Sequence, residues 1–121
     1  MKVLVIDDEE DVRYVARISL GRVGGMEVIE ASSGEEGIAR ARSERPDFIL
    51  LDMMMPGMDG AATFRALHDD PETAAIPVVF LTATAMAADG RRLKELGARA
   101  VVLKPFNPMT LASEITAILS A

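Results

Sequence analysis

Five residues stand where short apolar runs of the chain end, and their types could do chemistry together. Asp7 and Asp8 follow Val3–Ile6, Asp52 follows Phe48–Leu51, Thr82 follows Val78–Leu81, and Lys104 follows Ala100–Leu103. If these runs are strands of one parallel sheet, they deliver three carboxylates, a hydroxyl and an ammonium to the same rim. Open parallel sheets bind ligands there, outside the carboxyl ends of the strands and near the point where strand order reverses. Three carboxylates in one cleft repel one another unless a cation joins them or their pKa values shift. Lys104 offsets one charge and leaves a net of about −2, which a hard divalent cation with oxygen ligands would balance. Mg²⁺ suits the set, or Mn²⁺ in its place, because Mg²⁺ takes one or two carboxylates, keeps waters and also binds phosphate oxygens. A phosphoryl group would use what remains. Lys104 and the metal would neutralise its oxygens, Thr82 and nearby backbone N–H groups would donate to them, and one carboxylate is left as a nucleophile.

The elements that must position these residues are legible as an alternation. The apolar, β-branched runs are Val3–Ile6, Met26–Ile29, Phe48–Leu51, Val78–Leu81 and Ala100–Leu103. Between them lie stretches of helical periodicity, such as Val12, Val15, Ala16, Leu20 and Val23, and later Leu111, Ile115 and Ile118. Gly24-Gly25, Ser33-Gly34, Pro46, Pro56-Gly57, Pro77, Gly97 and Pro105 punctuate the changes. Ser33 can cap the helix opened by Gly34-Glu35-Glu36, with Glu36 at capping-box spacing. Five β/α units in strict alternation predict an α/β fold, a doubly wound (βα)5 with helices on both faces of a five-stranded parallel sheet. Val3–Ile6, Phe48–Leu51 and Val78–Leu81 are continuous apolar runs, as strands buried on both faces require. The second strand carries acids and reads as an edge, which leads to the flavodoxin-like order 2-1-3-4-5.

Composition bounds the rest. A chain of 121 residues, half of them apolar and 26% charged, fits one globular domain over residues 1–121 with a core of its own. It has no cysteine, which excludes disulfides, zinc–thiolate sites and iron–sulfur clusters. The net charge of −6 argues against nucleic acid as a direct partner. No apolar run is long enough to span a bilayer, and the N-terminal run ends in acid rather than in a cleavage site. A cytoplasmic location follows as the expectation.

Asp7-Asp8, then Asp52-Met-Met-Met-Pro-Gly-Met-Asp59-Gly60, then Thr82-Ala83, then Lys104-Pro105-Phe106 resembles the receiver domain of bacterial response regulators, the CheY-like family. The resemblance covers essentially the whole chain, in order and with the family's spacing. It implies that Asp52 is the phosphoacceptor and Asp8 a direct Mg²⁺ ligand. Asp7 would hold the metal directly or through water, and the Met54 backbone carbonyl would supply a further ligand. Thr82 and the Ala83 amide would touch the phosphoryl oxygens, and Lys104 would pair with them, aimed into the cleft by a cis bond to Pro105. The implied function is two-component or phosphorelay signalling. A histidine kinase or phosphotransfer protein presents a phosphohistidine, Asp52 takes the phosphoryl group, and water later removes it. An output protein or domain responds when Thr82 moves and the face formed by the last strand and last two helices rearranges. Such a domain is a signalling phosphoacceptor with autophosphatase activity rather than a turnover enzyme. A monomer that dimerises on phosphorylation is the default expectation.

One position departs from the family pattern. Tyr or Phe commonly stands three residues before the lysine, whereas this chain has Val101, so an aromatic rotamer switch is unavailable. Other residues admit plainer readings. Asp7-Asp8 could merely cap a helix, and Thr82 or Lys104 alone would be a strand-end hydroxyl and a solvated lysine. Met53-Met54-Met55 reads as loop filler beneath the site. Asp59 and Gly60 serve the loop turn and the next helix cap, while His68 and Arg91-Arg92 carry no role. Tyr14 and Ile18, four apart on the first helix, could meet a partner. Two rivals differ in class. A phosphohydrolase would place a second acid two residues past its nucleophile, where this chain has Met54, and would need length for a cap domain. An adapter with the same fold would bind its partner without phosphodonor or Mg²⁺.

Overall fold

A computed structural model describes residues 1–82, 95 and 97–120. The expected helix after Thr82, with Ala83, the Thr84–Ala88 segment and Arg91-Arg92, lies outside the described residues. The elements in chain order are β1 (Lys2–Ile6), α1 (Glu10–Arg17), a π-helical turn (Ile18–Val23), β2 (Glu27–Ala31) and α2 (Gly34–Glu44). They continue with β3 (Phe48–Asp52), α3 (Gly60–Asp69), β4 (Val78–Thr82), β5 (Ala100–Leu103) and α4 (Leu111–Ser120). All strand pairs are parallel, in the order β2-β1-β3-β4-β5. This is the flavodoxin-like doubly wound arrangement that the alternation predicts.

The sheet is buried on both faces because its central strands are continuously apolar over Val3–Ile6, Phe48–Leu51 and Val78–Leu81. Val3, Val5, Phe48, Leu50, Val79 and Leu81 face Ala16 and Leu20 of the first helical segment and Leu111, Ala112 and Ile115 of α4. Leu4, Ile6, Ile49, Leu51, Val78 and Phe80 face Ala41 of α2 and Phe64 and Leu67 of α3. β2 is the edge, with Glu27 exposed and Glu30 half-buried. At the α2 N-terminus the Ser33 side chain accepts from the Glu36 N–H at 3.1 Å. The reciprocal arm reaches one residue further back than a standard capping box, as Glu36 Oε1 accepts from the Ser32 N–H at 2.6 Å.

The first helical segment corrects one expectation. Val12, Val15, Ala16 and Leu20 turn inward to different degrees, but Val23 is 48% exposed. The helix widens to π geometry from Ile18 onward, and the Gly24 N–H donates to the Ser19 carbonyl five residues back. A π-turn rotates the residues after it relative to α-helical periodicity. Ser19 and Leu20 stay on the inward stripe set by Val15 and Ala16, and Val23, after the widened turn, is carried out. Gly24 then passes so close to α4 that a Cβ there would lie 2.6 Å from the Ala112 Cβ.

Candidate functional site

Strand register brings the predicted residues to one rim. Ile6 pairs with Leu51, so Asp7 and Asp52 sit side by side at the ends of β1 and β3. Asp52 pairs with Leu81, which puts Thr82 one step beyond it on β4. Thr82 pairs with Leu103, and its carbonyl accepts from the Lys104 N–H at 2.8 Å. Asp7 is fully buried, while Asp52 and Thr82 are 3% and 6% exposed. Asp8 is exposed. One carboxylate oxygen from each of Asp7, Asp8 and Asp52 can be chosen so that all three lie within 4.8 Å of one another.

Lys104 bridges the two buried carboxylates. Its Nζ donates to Asp7 Oδ2 at 2.8 Å and to Asp52 Oδ1 at 3.2 Å, with Glu9 Oε1 at 3.7 Å on the outer side. The Lys104–Pro105 peptide bond is cis, as the resemblance implies. Asp7 Oδ1 accepts from the Glu9 N–H at 2.9 Å, so both of its carboxylate oxygens have donors. Asp52 Oδ1 also accepts from the Met54 N–H at 3.4 Å. Burial, and next the adjacent Asp7 charge, push the Asp52 carboxyl up to about 6, against the opposing pull of Lys104 and the Met54 N–H. Burial pulls the Lys104 ammonium down, but hydrogen bonding and charge from Asp7, joined by Asp52, outweigh it and hold the lysine above its ordinary value. Among the described residues, the rim is thus a site of unbalanced negative charge carrying a single bridging cation.

The donor set tests the metal expectation. The clustered atoms are all carboxylate oxygens, the ligands that hard divalent cations take, and no soft donor is among them. Two of the three carboxylates are buried and the third faces solvent, which leaves an approach from outside. The residues therefore fit Mg²⁺ or Mn²⁺, with Asp7, Asp8 and Asp52 as candidate holders.

The loop after Asp52 is closed by its own residues. Asp59 caps α3, its Oδ1 accepting from the Ala62 N–H at 2.8 Å, and its carbonyl accepts from Thr63 Oγ1 at 2.8 Å. Gly60 donates from its N–H to the Met53 carbonyl at 3.1 Å. A Cβ at Gly60 would collide with the Asp52 carbonyl oxygen, so only glycine lets α3 start this close to the acceptor strand. Met55 is buried and Met53 packs against the core, which fits the filler reading, but Met54 projects with 75% exposure. Val101 lies half-buried against the α2/α3-side core, paired with Phe80. Tyr14 is 55% exposed and Ile18 half-buried, and both line a groove with Arg17, Arg22, Met26 and Val28. His68 stacks on Phe64 with ring centroids 5.7 Å apart, away from the strand-end rim.

Two residues that matter locally were not legible in the sequence. Arg13 Nη1 donates to the Asp7 carbonyl at 2.7 Å, and buried Ser19 donates to the Pro108 carbonyl. An arginine on a helix reads as a solvated face, and a serine three residues past Ala16 on the apolar stripe reads as a tolerated small residue rather than a tie to a distant loop.

The response regulator receiver domain model matches residues 3–116. The chain belongs to the response regulator receiver family. It is 37% identical to protein PilH of Pseudomonas aeruginosa over 98% of both chains. It is 38% identical to the alkaline phosphatase synthesis transcriptional regulatory protein PhoP of Bacillus subtilis, over 98% of this chain and 48% of PhoP. The chain spans about half the length of several of the curated relatives it matches. Among solved structures, the receiver superposes on the chemotaxis protein CheY4 of Vibrio cholerae with a TM-score of 0.89 and 32% identity, covering 97% of each chain. It also superposes on the N-terminal domain of a response regulator receiver protein from Methanoculleus marisnigri, with a TM-score of 0.80 and 34% identity over 99% and 97% of the two chains. No helix among the described residues is long and apolar enough to cross a membrane.

Proposed function

We propose that residues 1–121 act as a single Mg²⁺-dependent receiver module whose phosphoacceptor is Asp52. The observation that carries this reading is the Asp52 carboxylate itself. It is buried at the end of a central strand, clustered with Asp7 and Asp8, and bridged to Asp7 by Lys104. A carboxylate oxygen of Asp52 attacks phosphorus as the bond to the donor nitrogen or oxygen breaks. An acyl phosphate forms and the leaving group departs. Lys104 turns from the carboxylates to the incoming phosphoryl oxygens, and Thr82 donates its hydroxyl to them. Asp7, Asp8, Asp52 and the Met54 carbonyl would hold the metal, which when bound would supply positive charge to the phosphoryl oxygens. The Ala83 amide is a second donor in this proposal, although it lies outside the described residues. Water attack on phosphorus later releases inorganic phosphate and restores the carboxylate.

The donor in this reading is a phosphohistidine on a cytoplasmic histidine kinase or phosphotransfer protein, docking beside Tyr14 and Ile18. The output is a separate protein or domain, reached without an aromatic switch at Val101. The protein is a monomer that can dimerise when phosphorylated. To test the reading, the protein is incubated with acetyl phosphate or phosphoramidate, with and without Mg²⁺, beside Asp52→Asn, and its intact mass is recorded. A Mg²⁺-dependent phosphoryl adduct absent from the variant is expected. No adduct, together with no beryllofluoride binding, would favour the adapter reading.

A further inference from the structure

The carboxylates at the rim are not equally held. Asp7 is fixed through both side-chain oxygens, and Asp52 through Lys104 and the Met54 N–H. Asp8 is exposed, and among the described residues its side chain makes no hydrogen bond or ion pair. Its position therefore depends on the backbone that carries it. That backbone is held at the peptide joining Asp7 to Asp8. The carbonyl of this peptide accepts from Nη1 of Arg13, in the first turn of α1, at 2.7 Å.

Arg13 is itself anchored. Its Nε lies 3.4 Å from Glu30 Oε1 on the edge strand, and its side chain is only 17% exposed. Glu30 is steadied in turn by Arg17, whose Nη1 donates to Oε2 at 2.8 Å. The guanidinium fork spans two targets in different directions, which a lysine ammonium on its flexible stem does not reproduce. We propose that Arg13 is a positioning residue for the divalent-cation site. Braced by Glu30, it fixes the Asp7–Asp8 peptide plane so that the Asp8 carboxylate points into the cluster. The inference rests on the reading of Asp7, Asp8 and Asp52 as metal holders.

The sign of the effect separates this role from a plain charge effect. A cation near an acidic site repels a metal ion, so removing Arg13 as a mere charge would tighten Mg²⁺ binding. Removing it as a brace loosens binding, because residues that orient metal ligands typically contribute about 10-fold or more to affinity. Mg²⁺ affinity is measured by calorimetry for the wild-type protein, Arg13→Ala, Arg13→Lys and Glu30→Gln, with metal-free thermal melts to confirm folding. Arg13→Ala is expected to weaken Mg²⁺ binding about 10-fold, Arg13→Lys less, and Glu30→Gln about twofold to threefold. Saturating Mg²⁺ should restore the phosphorylation rate of each. A folded Arg13→Ala protein that binds Mg²⁺ as well as or better than wild type overturns the inference. If Arg13→Ala does not fold, Arg13→Lys and Glu30→Gln decide, and unchanged affinity in both overturns it. Failure of the wild-type protein to bind Mg²⁺ would sink the metal-site reading itself, an outcome distinct from a variant that behaves like wild type.

Discussion

The two ends of the sheet treat charge in opposite ways. At the amino ends of the strands, Lys2 meets Glu44 Oε1 at 3.4 Å and Glu27 Oε2 at 3.8 Å, while its backbone N–H donates to Asp47 Oδ2 at 2.6 Å. These groups are partly or fully open to water, and opposite signs meet at the surface. At the carboxyl ends, two buried acids share one half-buried lysine, and the exposed Asp8 joins their cluster without a cation of its own among the described residues. Exposed pairs of the first kind contribute little and have no chemistry to do. Buried like charges are costly to fold, and such unbalanced clusters concentrate at functional sites, where a cation and an incoming anion can offset them. The imbalance, rather than the number of charged residues, marks the functional end.

Lys104→Met would break the contrast most severely. It should slow phosphorylation from small donors by about 100-fold, as loss of one charge-stabilising donor does. The same change should tighten Mg²⁺ binding, because a competing cation is gone. Rate and affinity moving in opposite directions would be read by mass spectrometry and calorimetry, and a parallel loss of both would contradict the account.

Asp52→Asn sharpens the contrast through stability. The folded carboxyl titrates at about 6 rather than at its ordinary 3.8. A raised pKa in the folded state means that Asp52 favours folding when protonated. That contribution is fully present below about pH 4 and lost as pH rises through about 6. The metal-free variant should therefore be more stable than wild type near neutral pH by roughly 1–3 kcal/mol, with the difference vanishing at about pH 4. Denaturant melts at the two pH values would show it, and equal stabilities throughout would contradict the raised pKa.

Gly60→Ala tests the frame beneath the acceptor. The new methyl meets the Asp52 carbonyl, so α3 must shift, at a cost of about 1–3 kcal/mol. Phosphorylation should slow with it. Lys2→Ala, at the opposite end, should cost less than about 1 kcal/mol and leave phosphorylation unchanged.

What was legible in the sequence follows the same division. Continuous apolar runs define where strands end, so the positions of Asp52, Thr82 and Lys104 at the rim follow from the sequence. Alternation of elements carried the strand order. Val23 could not be placed, because the π-turn that rotates it outward accompanies close packing of Gly24 on Ala112, nearly ninety residues away. Arg13 was hidden for a similar reason. Its value lies in reaching the Asp7 carbonyl and Glu30 at once, a relation between a helix, a turn and an edge strand that periodicity does not encode.

The central claim is that the unbalanced rim accepts a phosphoryl group at one carboxylate. Borohydride reduction of the protein after treatment with acetyl phosphate and Mg²⁺, followed by peptide mass mapping, addresses it directly, since an aspartyl phosphate is reduced to homoserine. Homoserine at position 52, dependent on both Mg²⁺ and donor, is the predicted result. Homoserine at position 7 or 8 instead, or none at any position while a known receiver in the same experiment is labelled, would contradict it.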